Sequence, residues 1–122
     1  MFETEKFIED CKRALADDSS HKAVREVVAE AVADPSGIVK ALGEPTEAGF
    51  TPLFHSDELT ILNFAWAPLM TLMPHNHTMW AVIGIYGGRE DNIFWRKIDN
   101  GLEAAGAEAL SRGDAAPLGK DI

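Results

Sequence analysis

A single cysteine, Cys11, stands in the 122 residues, so no intramolecular disulfide framework can hold this chain together. A lone thiol also suits a reducing compartment, and the expected location is the cytoplasm. No apolar run approaches the roughly 18 residues a membrane span requires, so a membrane is not an expected partner. The opening Met1-Phe2-Glu3-Thr4-Glu5 is acidic and lacks the basic and apolar regions of a signal peptide. Positive charge is scarce: 11 Lys and Arg face 20 Asp and Glu, for a net charge of −9. Phosphate binding needs a basic face, which excludes nucleic acid as an expected partner. Internal repeats and low-complexity tracts are absent as well. What remains is an ordinary globular composition, 46% hydrophobic and 25% charged, consistent with one domain.

The pattern changes character near residue 44. Over 1–43, Phe7, Ile8, Cys11 and Leu15 recur at spacings of three and four, as do Val24, Val27, Val28, Ala31 and Val32. That periodicity predicts helices with one core-facing stripe, and it makes Cys11 a buried, inert thiol. Asp17-Asp18-Ser19-Ser20 separates two helices and supplies a cap for the second. Asp34-Pro35 opens a third, which Gly43 ends. These helices are expected to cover one sheet and to carry no chemistry.

From Gly49 onward the residues predict strands at about 50–54, 59–66, 69–73, 77–86, 90–98 and 102–111. Asp99-Asn100-Gly101 is the strongest hairpin signal. The segment after it, Leu102 to Leu110, is alanine-rich and has helical propensity, yet a hairpin there requires a strand.

Chemistry concentrates at Pro74-His75-Asn76-His77. The run Met79-Trp80-Ala81-Val82-Ile83-Gly84-Ile85-Tyr86 follows, and Gly87-Gly88 stops it. If the histidines open that strand, alternation turns both imidazoles to one face. Their Cα atoms are then about 6.5–7 Å apart, close enough to converge on one metal ion. On a regular strand His77 shares its face with Met79, Ala81, Ile83 and Ile85, an apolar wall around few polar ligands. Neutral imidazoles accept several first-row metals, so nickel, manganese and zinc all fit these residues. The bland alternative is a pair of loop histidines.

The H-x-H with its strand and closing glycines resembles the first metal-binding motif of the cupin superfamily, and within it the cysteine-dioxygenase-like (thiol dioxygenase-like) proteins. The resemblance spans roughly residues 50–122 and is specific at 74–98. It implies a mainly β fold with N-terminal helices: 1–43 packing on a cupin (double-stranded β-helix, jelly-roll) barrel begun by 44–122. It also implies iron(II) held by His75, His77 and a third histidine, with a small-molecule substrate and O₂ as partners. A homodimer is compatible with it. The glutamate ligand many cupins place four or five residues after the second histidine is replaced by Ala81 and Val82, which fits a three-histidine site.

Neither His21, expected to be solvent-exposed at a helix start, nor His55, expected at the surface or lining the pocket mouth, is the matching third ligand. Gly113-Asp114-Ala115-Ala116-Pro117-Leu118-Gly119-Lys120-Asp121-Ile122 resembles the opening of the second cupin motif, whose histidine would fall just after Ile122. A barrel of this kind uses about eight strands, so the chain is expected to be two or three short, by truncation or by completion from another subunit.

The arginine that pairs with the substrate carboxylate in cysteine dioxygenases has no match in Phe50-Thr51-Pro52-Leu53-Phe54. Free cysteine is therefore a doubtful substrate, while thiol oxidation as a class survives. Trp80, Arg89, Asn92 and His55 are candidates for the pocket or for support of the ligands. Trp95 is expected to pack and Arg96 to lie at the surface. The functional expectation is a non-haem iron(II) dioxygenase; the alternative is a non-catalytic metal- or ligand-binding cupin acting as sensor or structural module.

Overall fold

The computed structural model describes residues 2–18, 20–44, 47–66 and 79–118. Three helices come first: α1 (Thr4–Asp17), α2 (His21–Val32) and α3 (Pro35–Leu42). Six strands follow: β1 (Gly49–His55), β2 (Thr60–Ala65), β3 (Ala81–Gly84), β4 (Arg89–Ile98), β5 (Gly101–Ser111) and β6 (Ala115–Leu118). The fold is thus mixed helix and strand, with helical and strand halves dividing where the composition changes.

Local chemistry sets the helix boundaries. Asp18 leaves the helical conformation, and the Ser20 hydroxyl accepts from Lys22 N at 3.3 Å to start α2. Asp34 Oδ1 accepts from Gly37 N at 3.1 Å, with Pro35 at the first helical position. Gly43, at φ 89°, ends α3 in a backbone region that other residues enter at a cost. Cys11 is only 2% exposed, on the inner stripe of α1 as the periodicity requires.

Among the described residues the strands form three two-stranded antiparallel sheets, β1–β2, β3–β6 and β4–β5. None of these closes into a barrel. The expected strand at 69–73 lies outside the described residues, as do His75 and His77. The expected strand at 77–86 is shorter where it is described: it runs only over 81–84, with Met79 exposed ahead of it. Ile85 carries the pairing one residue past β3, donating its N–H to Asp114 O at 2.9 Å, in register with the β3–β6 ladder, and accepting from Gly113 N at 2.7 Å. β6 pairs with β3 from Ala81↔Leu118 to Gly84↔Ala115, a strand the sequence reading missed.

The long hairpin closes at Ile98↔Gly101, so its two-residue loop is Asp99-Asn100 and Gly101 opens β5. Alanine-rich Gly101–Ser111 is a strand because it pairs with β4 along nearly its whole length, which satisfies the backbone groups on that edge. Trp95 corrects the packing expectation, since it points outward.

The core gathers where α2 meets the β3–β6 sheet. Ile85, Leu110 and Ala116 form a buried cluster with Ile83 against it. Val24 and Val32 of α2 and Ile38 of α3 are buried too. The helix approaches β3 at a glycine: a Cβ on Gly84 would sit 2.5 Å from Val28 Cγ1 and 2.7 Å from Val32 Cγ1. α2 thus covers one sheet, as the valine stripe predicted.

Two outcomes follow. Gly84→Ala overpacks the helix–sheet contact and lowers unfolding free energy by about 1–3 kcal/mol, whereas Gly87→Ala, with nothing within 4 Å of the added carbon, stays near neutral in the same denaturant titration. Burial pushes the Cys11 thiol from 9.0 up to about 12, and the Asp10 carboxylate adds to the rise. The folded chain therefore holds that proton more tightly than the unfolded chain does. Stability from this source is complete below the unfolded value and is lost as pH rises through about 12. Thiol-reactive disulfide reagent should label Cys11 only on unfolding, and Cys11→Ala should flatten the alkaline fall in stability.

Candidate functional site

β3 is flanked at both ends by the side chains that draw the site together. At its start Trp80 is half-buried and meets His21 edge-on, with ring centroids 6.4 Å apart and planes at 70°. His21 is therefore not the solvent-exposed residue expected from its place at a helix start. It is half-buried, and its Nδ1 is buried with no hydrogen-bond partner among the described residues. The reason is tertiary: α2 lies along β3, which carries its first residue against the approach to that strand.

Past the other end, Tyr86 precedes the Gly87-Gly88 turn, in which Gly88 takes φ 72°. Its hydroxyl donates to Asn63 Oδ1 at 2.6 Å. This bond ties β2 to the end of β3, and both partners are half-buried. The sequence reading passed over both residues. The available signal was Asn63 itself, an amide in the middle of the apolar strand Leu59–Trp66, which needs a partner wherever it is buried.

The remaining candidates fall on different surfaces. His55 ends β1, exposed, with Nδ1 2.8 Å from Thr60 Oγ1 across the β1–β2 pair. Arg89 is exposed at the start of β4, and its Nε donates to Asp91 Oδ1 at 2.7 Å. Asn92 lies on the opposite face of β4 and is half-buried with Glu90 and Phe94. Of these two pocket candidates, Asn92 is the less exposed. Arg96 is at the surface as expected, bonded to Glu103 across the hairpin.

His75 and His77 lie outside the described residues, so the structure places neither. Among the described residues no group of three His, Cys, Asp or Glu is arranged to hold a metal ion. In donor chemistry the two imidazoles fit a divalent first-row ion, and they leave positions for further ligands. A groove of about 550 Å³ between α1 and α2 is lined by Phe2, Phe7 and Val27 under Asp10, Glu26 and Glu30, with no imidazole or thiol in it. A smaller cavity of about 290 Å³ lies between the end of α3 and β2, with Thr51 and Asn63 on its wall.

The Tyr86–Asn63 bond is the testable element here. Tyr86→Phe should cost about 1 kcal/mol of stability, and pairing it with Asn63→Ala in a double-mutant cycle should give non-additive losses, measured by chemical denaturation. No family model, curated protein or solved structure matches this chain.

Proposed function

We propose that the chain belongs to a cupin-type, metal-dependent oxygenase of cysteine-dioxygenase-like kind, with His75 and His77 as two ligands of one iron(II) ion. The observation that carries this reading is the H-x-H placed just ahead of a strand that stops before paired glycines. β3 supports it, running over Ala81–Gly84 and giving way to a turn in which Gly88 has φ 72°. Antiparallel pairing of the strands among the described residues and a helix laid over one sheet also accord with it.

In this reading a third histidine and further strands complete the site and the barrel. The metal, when bound, would orient substrate and O₂ together and act as a Lewis acid. Trp80 would brace the segment carrying His77 through its contact with His21, and Asn92 would be a candidate to support the ligands. The substrate is a small molecule. Free cysteine suits it poorly, because residues 49–66 contain no arginine or lysine to clamp a carboxylate.

That same lack of a clamp, together with no evident acid–base pair, favours a second reading: a cupin that binds metal or ligand without turnover. Elemental analysis and O₂ uptake separate the two. Purified protein should carry about one metal per chain, and His75→Ala/His77→Ala should lose it. Full metal retention in the double variant would overturn the site assignment. Iron-loaded protein should consume O₂ with members of a thiol panel; bound iron without uptake would favour the binding module.

A further inference from the structure

β4 carries its charges in a definite order. After Arg89, which bonds Asp91 of its own chain at 2.7 Å, the strand has acids at Glu90 and Asp91, apolar residues from Ile93 to Trp95 and bases at Arg96 and Lys97. An antiparallel mate of the same sequence sets acid against base, whereas a parallel mate sets like on like. β4 pairs with β5 on one side, and among the described residues no strand lies along its other edge.

Long free edges are normally blunted by proline, by a bulge or by shortness. β6 is four residues long and contains Pro117, and β1 contains Pro52 beside a register irregularity. In the long hairpin the extra residue is Ala105, between the pairs Phe94↔Gly106 and Trp95↔Ala104, and it belongs to β5. The bulge thus interrupts β5 and leaves β4 regular over its ten residues, with neither glycine nor proline.

Symmetry limits how two such edges can meet. A two-fold axis normal to the sheet keeps each face on its own side, so residues that come opposite must share a face in the single chain. The axis must therefore pass through a residue. Through Ile93 it sets Arg89 against Lys97, and through Trp95 it sets Asp91 against Asp99, like charges in both cases. Through Asn92 it forms no ion pair. Through Phe94 it sets Asp91 against Lys97, Asn92 against Arg96 and Ile93 against Trp95, with no like pair along the strand. Ile93 and Trp95 are 55% and 43% exposed, and a β-branched residue opposite an aromatic one is a favourable cross-strand pair. The Asp91 side chain stays 68% exposed beside Arg89, and Lys97 has no ion-pair partner among the described residues.

We propose that β4 is the edge through which this chain self-associates: two copies pair β4 to β4, antiparallel about a two-fold axis through Phe94, in one four-stranded sheet with β5 at each margin. The net charge of −9 opposes association wherever acid meets acid. Arg96 and Lys97 reverse that sign locally, and the pairing lays Lys97 of each copy against Asp91 of the other. The assembly also closes on itself. Its outer edges are β5, bulged at Ala105 and carrying Glu103 and Glu108 without a base, so a third copy finds no regular or oppositely charged edge. This inference does not draw on the metal reading.

The test is sedimentation of the purified chain over a concentration series reaching about 0.5 mM. It should show a monomer–dimer equilibrium that weakens as salt is raised. Asp91→Lys and Lys97→Asp, each checked for retained secondary structure by circular dichroism, bring like charges opposite one another twice per dimer. Each should weaken self-association about tenfold. An equimolar mixture of the two variants should dimerise again, because at these positions every lysine of one copy then faces an aspartate of the other. The doubly exchanged chain, Asp91→Lys/Lys97→Asp, should recover in the same way. Recovery in the mixture cannot come from misfolding of either variant. A parent that stays monomeric throughout the series overturns the proposal. So does a dimer that both single variants leave unchanged, which would assign self-association to another face, and so does a mixture that dimerises no better than its components.

Discussion

The contact of α2 with β3 at Gly84 is the constraint from which the remaining architecture follows. Only a hydrogen on that Cα lets Val28 and Val32 come so close. With the helix seated there, β3 and β6 gain their cover, and Ile83, Ile85, Leu110 and Ala116 close a small core beside it. The backbone of Ile85 continues that pairing to Asp114 and Gly113, which secures the base of the long hairpin. α2, the β3–β6 sheet and the base of the long hairpin are thus joined at one place.

Side-chain polarity divides along the same lines. The less exposed face of β2 carries Ile61, Asn63 and Ala65 against Leu62 and Phe64 on the other, while β4 sets Glu90, Asn92 and Phe94 against Arg89, Asp91, Ile93 and Trp95. A chain that maximised burial within the described residues would reverse the faces of β2. Retaining this arrangement costs hydrophobic stabilisation, at about 25 cal/mol for each Å² left wet. Such a cost is commonly borne at surfaces that meet something else.

What could be read from the residues depended on whether the cause was local. Helix stripes, the Ser20 and Asp34 caps, the Gly43 stop and the hairpin about Asp99-Asn100 are all set within a few positions, and each was legible. β6 was not, because Ala115–Leu118 has neither length nor alternation and becomes a strand only by pairing with β3. His21 was misjudged for the same reason: its burial comes from Trp80, 59 positions away. Trp95 was expected to pack because large rings usually do, but the polarity of β4 turned it out. In the site, Asn63 and Tyr86 lacked any shared pattern, since a bond across 23 residues leaves no periodic trace. The H-x-H, by contrast, is legible only as sequence.

The nesting of the strands has a bearing on how the chain finds its fold. β3 and β6 must meet across residues 85–114, an expensive closure for four pairs of residues. Most of that interval is the β4–β5 hairpin, whose own ends are adjacent once it has zipped from Asp99-Asn100. With it formed, only residues 85–88 and 112–114 remain to be closed, and the entropic cost falls by about 1 kcal/mol. The hairpin that protrudes from the finished molecule therefore serves assembly as well, by shortening the path between the two strands on which α2 comes to rest.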